Sequence, residues 1–158
     1  MKRPRRRRRA EAAEASGTNT VRTIELEIPN DVREIERVVE IVRHECAVMK
    51  FGAHQLMLNV PVALSEALSN AILRGNAEDP RKRVRVHVRV DHTSLIIEVT
   101  DEGPGFNMAE CTQDPTTPEH ILSEAGRGLF LMQKLMDRVE RFAGRPGNVV
   151  RLTLRRAS

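Results

Sequence analysis

Glu66 and Asn70 stand four residues apart in the segment LSEALSNAILRGN. On a helix that spacing places a carboxylate and a carboxamide on one face, a turn apart. Ala63, Ala67 and Ala71 around them leave space for something to approach. A carboxylate there can take a proton, and an amide oxygen beside it suits a hard cation such as Mg²⁺ with its waters. Taken alone, the pair fits a solvated helix face better than a metal site.

Three other stretches carry chemistry. In DEGPGF, Asp101 closes the apolar run SLIIEVT, and Gly103 and Gly105 follow. Asp101 can accept a hydrogen bond from a ligand amino group, and the glycines let a flat ring or a phosphate reach the backbone. A plain Gly-Pro turn uses the same residues. In GRGLFLM, Gly126 and Gly128 flank Arg127 where a helix is expected to open. Backbone N–H groups and the helix dipole favour an anion at such a place. Thr153 lies in the last strand, where a β-branched residue is first of all a strand former.

These residues need elements to position them. VRTIELEI, residues 21–28, alternates and predicts a strand ended by Pro29-Asn30. Asp31 and Glu34 are spaced like a capping pair, and Val32, Ile35, Val39, Val42, Cys46 and Met49 then form one apolar stripe ending near Gly52. A second helical region spans residues 54–74, with Pro61 kinking it or marking its start, and Gly75-Asn76 stopping it. VRVHVRV (84–90) alternates strictly, and residues 95–100 form the next strand after the turn Asp91–Ser94, so the two pair antiparallel. Residues 107–126 read as a polar loop with a short helix from Thr117-Pro118 to about Glu124. A third main helix is predicted over 127–137, then strands over 139–142 and 149–154. The order β-α-α-β-β-loop-α-β-β predicts an α/β two-layer sandwich: a mixed, mostly antiparallel sheet covered on one face by helices.

Each signal is modest, but their order is distinctive. A helix with ExxxN, a strand ending DxGxGF, a polar lid and a GxG-opened helix resemble the GHKL (Bergerat-fold, histidine-kinase-like) ATPase superfamily across about residues 20–156. LSEALSNAILRGN, DEGPGFN, DPTTPEHILSEAGRGLFLM and RLTLRR further resemble the anti-sigma-factor serine/threonine kinases of bacterial partner-switching systems. The resemblance implies an ATP- and Mg²⁺-dependent kinase that sequesters a sigma factor and phosphorylates an anti-sigma-factor antagonist. It implies Glu66 as general base and Asn70 as ligand of the metal bridging the phosphates. Asp101 would receive the adenine amino group, with Gly103, Gly105 and Phe106 about the ring. Gly126, Arg127, Gly128 and Leu129 would line the phosphates, and Thr153 would support the adenine through water. Arg74 stands where many relatives have His, adding a fixed charge near the phosphate end. The family also implies a homodimer.

Two other readings fit the same motifs: an inactive ATP-binding module that sequesters a partner, and a detached histidine-kinase catalytic domain with His44-Glu45 as its phospho-acceptor pair. The second is disfavoured by the lack of a second dimerisation helix.

Composition bounds the rest. At 158 residues, with 40% hydrophobic and 30% charged, the chain is expected to be one globular domain over 20–158. Residues 1–9, MKRPRRRRR, carry seven basic residues and no acid, so the net charge of +4 belongs to a tail (1–19) expected to be disordered, and the body is mildly acidic. No aromatic residue accompanies that tail, which argues against specific nucleic-acid binding. Cys46 and Cys111 are far apart, without metal-ligand spacing, and Cys46 is expected in the core. No signal core and no apolar run of membrane-spanning length are apparent, which predicts a cytoplasmic protein.

Overall fold

The computed structural model describes residues 20–104, 124–143 and 147–157. The basic tail, Gly105, Phe106, Cys111 and the short helix expected from Thr117 lie outside the described residues.

The first strand, β1 (Arg22–Pro29), leads into a 3-10 turn (Val32–Glu34) and helix α1 (Ile35–Val48). The Asp31 carboxylate caps the turn, accepting from the Arg33 N–H at 2.9 Å. Glu34 does not reach back to complete a capping box: its carboxylate pairs with Arg37 at 2.6 Å. The apolar stripe begins later than expected. Val32 is 47% exposed, whereas Val38, Val39, Val42, Cys46 and Met49 are buried. Burial pushes the Cys46 thiol up to about 12, with Glu45 adding to it, so this cysteine packs as a small hydrophobe.

The second helical region is one run of 21 residues, Gln55–Gly75, with helix α2 (Val60–Asn70) between two π-turns, Gln55–Asn59 and Ala71–Gly75. Pro61 stands in the first turn of α2, so it marks the start of the α-helical part, one of the two expectations, without breaking the run. A proline ring clashes with the carbonyl four residues back in an ordinary helical turn. The wider π-turn before it relieves that crowding, and the Val60 N–H bonds to Gln55 O. By length and apolarity this run could cross a membrane, contrary to the expectation from sequence. Here Val60, Ala63, Leu64, Ala67, Leu68, Ala71 and Ile72 are buried in the core.

Strands β2 (Arg83–Val90) and β3 (Ser94–Thr100), helix α3 (Glu124–Leu135) and strands β4 (Arg138–Ala143) and β5 (Asn148–Arg155) complete the order read from sequence. The sheet runs β1-β2-β3-β5-β4, and every neighbouring pair is antiparallel. Val84, Val86, Val88 and Val90 of β2 face the helices and are buried. The alternate positions Arg83, Arg85, His87 and Arg89 lie on the open face. The core lies between that sheet and α1, α2 and α3.

The β2–β3 turn gives a test of acid stability. Burial raises the Asp91 pKa, but hydrogen bonds from the Thr93 hydroxyl and from the Thr93 and Ser94 N–H groups outweigh it, and the net shift is downward. A lowered folded-state pKa contributes stability above the unfolded value near 3.8, lost as pH falls through the folded value. Asp91→Ala should therefore lower Tm at pH 7 and narrow its gap from wild type toward pH 3, measured by thermal melts across that range.

Candidate nucleotide and phosphoryl-transfer site

Glu66 and Asn70 occupy successive turns of α2, both half-buried, facing a cavity of about 630 Å³. That volume is in the range of small-molecule sites. Ser69, Leu73 and Arg74 extend the same wall, and Glu78 beyond the helix closes one side. Arg127, Gly128 and Leu131 from α3 form the opposite wall. The spacing 66, 69, 70, 73 is one helical face, a signal that would have identified Ser69 and Leu73 from sequence.

Gly128 acts by lacking a side chain. A Cβ there would lie 2.8 Å from Glu66 Oε2 and 3.3 Å from Asn70 Nδ2. Helix α3 begins at Glu124, three residues earlier than expected, so Gly126 and Arg127 fall in its first turn and Gly128 just beyond. Gly128 lets α3 approach the two polar side chains of α2. Gly128→Ala should melt at or slightly above the wild-type Tm, because Ala is favoured over Gly by about 1 kcal/mol in a helix interior. It should nonetheless lose activity, roughly 10²-fold for a reacting group displaced by about 1 Å. Kinetics and melting measured on the same preparation check this opposition.

Asp101 lies outside the cavity lining but adjoins it through Arg74 and Gly75. It is buried, and its Oδ1 accepts from Gly103 N at 2.9 Å, Asn148 N at 3.2 Å and Asn148 Nδ2 at 3.1 Å. Its other oxygen rests on Gly75, where a Cβ would come within 2.0 Å. Around it the backbones touch. A Cβ on Gly103 would come within 1.7 Å of Gly75 O, and one on Gly147 within 1.8 Å of Asp101 O. Gly75, Gly147 and Asn148 read from sequence only as turn or strand-end residues, because their partners are distant along the chain.

Glu66, Asn70, Arg127 and Gly128 are therefore brought together, with Asp101 and Gly103 beside them. Two candidate residues fall elsewhere. Leu129 packs against the hydrophobic core, and Leu131 lines the cavity instead. Thr153 sits between Ile96 and Arg138 on the open face of the sheet, because its neighbours Leu152 and Leu154 point into the core. The β5 residue that meets Asp101 is Asn148.

The family profile described as "Histidine kinase-like ATPase domain" matches residues 28–154. The chain belongs to this family. Among relatives, it is 31% identical over 128 residues to serine-protein kinase RsbW of Bacillus velezensis, covering 78% of this chain and 79% of that one. It is 40% identical over 86 residues to RsbW of Bacillus subtilis, and 32% identical over 85 residues to anti-sigma F factor of Bacillus cytotoxicus. Those two matches cover 51% and 53% of this chain, and the chain spans 54% and 58% of the relatives' own lengths. The fold also superposes on the crystal structure of the RsbU and RsbW domains of Rv1364c from Mycobacterium tuberculosis, with a TM-score of 0.60 at 18% identity, covering 87% of this chain and 34% of that one. The two-layer α/β architecture expected from the family is the one observed.

Proposed function

We propose that this chain is an ATP-dependent serine/threonine protein kinase that holds a sigma factor and phosphorylates its antagonist. The observation that carries the reading is Glu66, a carboxylate facing the cavity beside Asn70, kept clear by a glycine on the opposing helix. A module that only sequesters a partner needs no such group beside its anion site. The relatives named serine-protein kinase and anti-sigma F factor supply the substrate class and the partner.

Asp101 accepts from the adenine amino group at the closed end. The first-turn amides of α3, Arg127 and Arg74 face the phosphates. Among the described residues no three His, Cys, Asp or Glu cluster to hold a metal by themselves. The Asn70 carboxamide oxygen fits Mg²⁺ that arrives with its phosphates and waters. Mg²⁺-ATP supplies the transferable phosphoryl group. Glu66 orients the incoming serine hydroxyl and takes its proton on a carboxylate oxygen, while the cavity walls hold the reacting atoms in line.

The test is incubation with γ-labelled ATP and candidate antagonists encoded near the gene, followed by phosphosite mapping. Label on a Ser or Thr of one antagonist is the expected result. Retention of ATP and a sigma factor without label on any antagonist would instead mark a binding module.

A further inference from the structure

Asn76 is fully buried, and its side chain joins three segments that are distant in sequence. Its Nδ2 donates to Asn30 Oδ1 at 3.1 Å, past the end of β1, and to Arg83 O at 3.0 Å, at the start of β2. Its Oδ1 accepts the Glu102 N–H at 2.7 Å, one residue beyond Asp101. The orientation is fixed, since a carbonyl can only accept and an amide N–H only donate. Asn30 extends the arrangement by donating to Ile72 O at 3.3 Å and Asp79 O at 3.0 Å.

Both sides of Asn76 lead to the site. Before it, the π-turn ending at Gly75 lays that glycine on the Asp101 carboxylate and turns Leu73 and Arg74 toward the cavity. After it, Ala77 and Glu78 adopt left-handed backbone conformations, φ 49° and 59°. Such conformations are costly for residues with a side chain and persist only where the surroundings impose them. Glu78 lines the cavity, and its N–H returns to Ile72 O at 3.0 Å.

We propose that Asn76 is a positioning residue that couples the base end of the site to its phosphate-side wall. By fixing the Glu102 amide against the helix end it sets where the Asp101 carboxylate meets a nucleobase. By the same bonds it imposes the strained turn that puts Glu78 at the cavity. The proposal rests on the reading of Asp101 as acceptor of the adenine amine, and it adds that base selectivity depends on Asn76, which touches no nucleotide.

The test compares ADP with inosine diphosphate, which lacks the amino group. The wild type should prefer ADP by roughly tenfold to a hundredfold, the range of a hydrogen bond to a charged group. Asn76→Asp keeps the acceptor for Glu102 but sets a carboxylate against Arg83 O and Asn30 Oδ1, two acceptors. It should still bind both nucleotides while the preference falls toward one. An unchanged preference with a lowered Tm would make Asn76 merely structural and overturn the proposal. Absence of ADP binding by the wild type at millimolar nucleotide would overturn the ATP-site reading and the coupling with it. A second measurement needs no variant. Adenosine, having no phosphate, should slow hydrogen exchange in the wild type at Ala77 and Glu78 as well as at Glu102. Slowing at Glu102 alone would show that the two ends are not coupled.

Discussion

Replacing Glu66 by Gln should lower phosphoryl transfer by about 10²–10⁴-fold, the usual contribution of a general base. Gln keeps the shape and the hydrogen-bonding reach of the side chain, so cavity volume and the contact with Gly128 persist. What it loses is the ability to take a proton. Binding of Mg²⁺-ADP and of the sigma factor should therefore survive. Asn70→Ala should give the opposite pattern, weakening Mg²⁺-ATP binding itself, because in the proposed site Mg²⁺ would lose a ligand. Titration and turnover measured side by side separate the two. A Glu66→Gln protein that transfers phosphate at the wild-type rate would remove Glu66 from the role of base.

The second large effect is at Asp101. Asp101→Asn is isosteric, and the amide oxygen can still serve Gly103 N and both donors of Asn148. The nitrogen then takes the place of the oxygen that rests on Gly75 and presents a donor to the adenine amine, itself a donor. A hydrogen bond to a charged acceptor contributes about 1.5–3 kcal/mol. Affinity for adenine nucleotides should fall roughly tenfold to a hundredfold while Tm changes little. An unchanged affinity would show that another group reads the base.

What could be read from sequence was set by local period. The alternation of VRVHVRV places four valines inward whatever lies beside the strand, and β2 follows it. The four-residue spacing of Glu66 and Asn70 fixes their shared face as soon as the segment is helical. Features that depend on partners from elsewhere in the chain were not legible. The family resemblance implies Thr153 at the adenine, but the inward phase of β5 is set by Leu152 and Leu154, and Asn148 is the β5 residue that meets Asp101. Pro61 marks the start of the α-helical part from its local cost alone, but the π-turn that precedes it was not legible. The π-turn that accommodates it requires the whole run Gln55–Gly75 to stay packed in the core. Gly75 and Gly147 matter through close contacts with the Asp101 segment, and no spacing rule in their own segments reveals them.

On the proposed function, the Asp101 end and the Glu66–Asn70 cavity form one Mg²⁺-dependent adenine nucleotide site. The deciding measurement is isothermal titration of ADP into the full chain, with and without Mg²⁺. One nucleotide per chain should bind, more tightly with Mg²⁺, with a matching rise in Tm, since a ligand that binds only the folded state stabilises it. No heat of binding and no rise in Tm at millimolar Mg²⁺-ADP would mean that the two ends are not one nucleotide site.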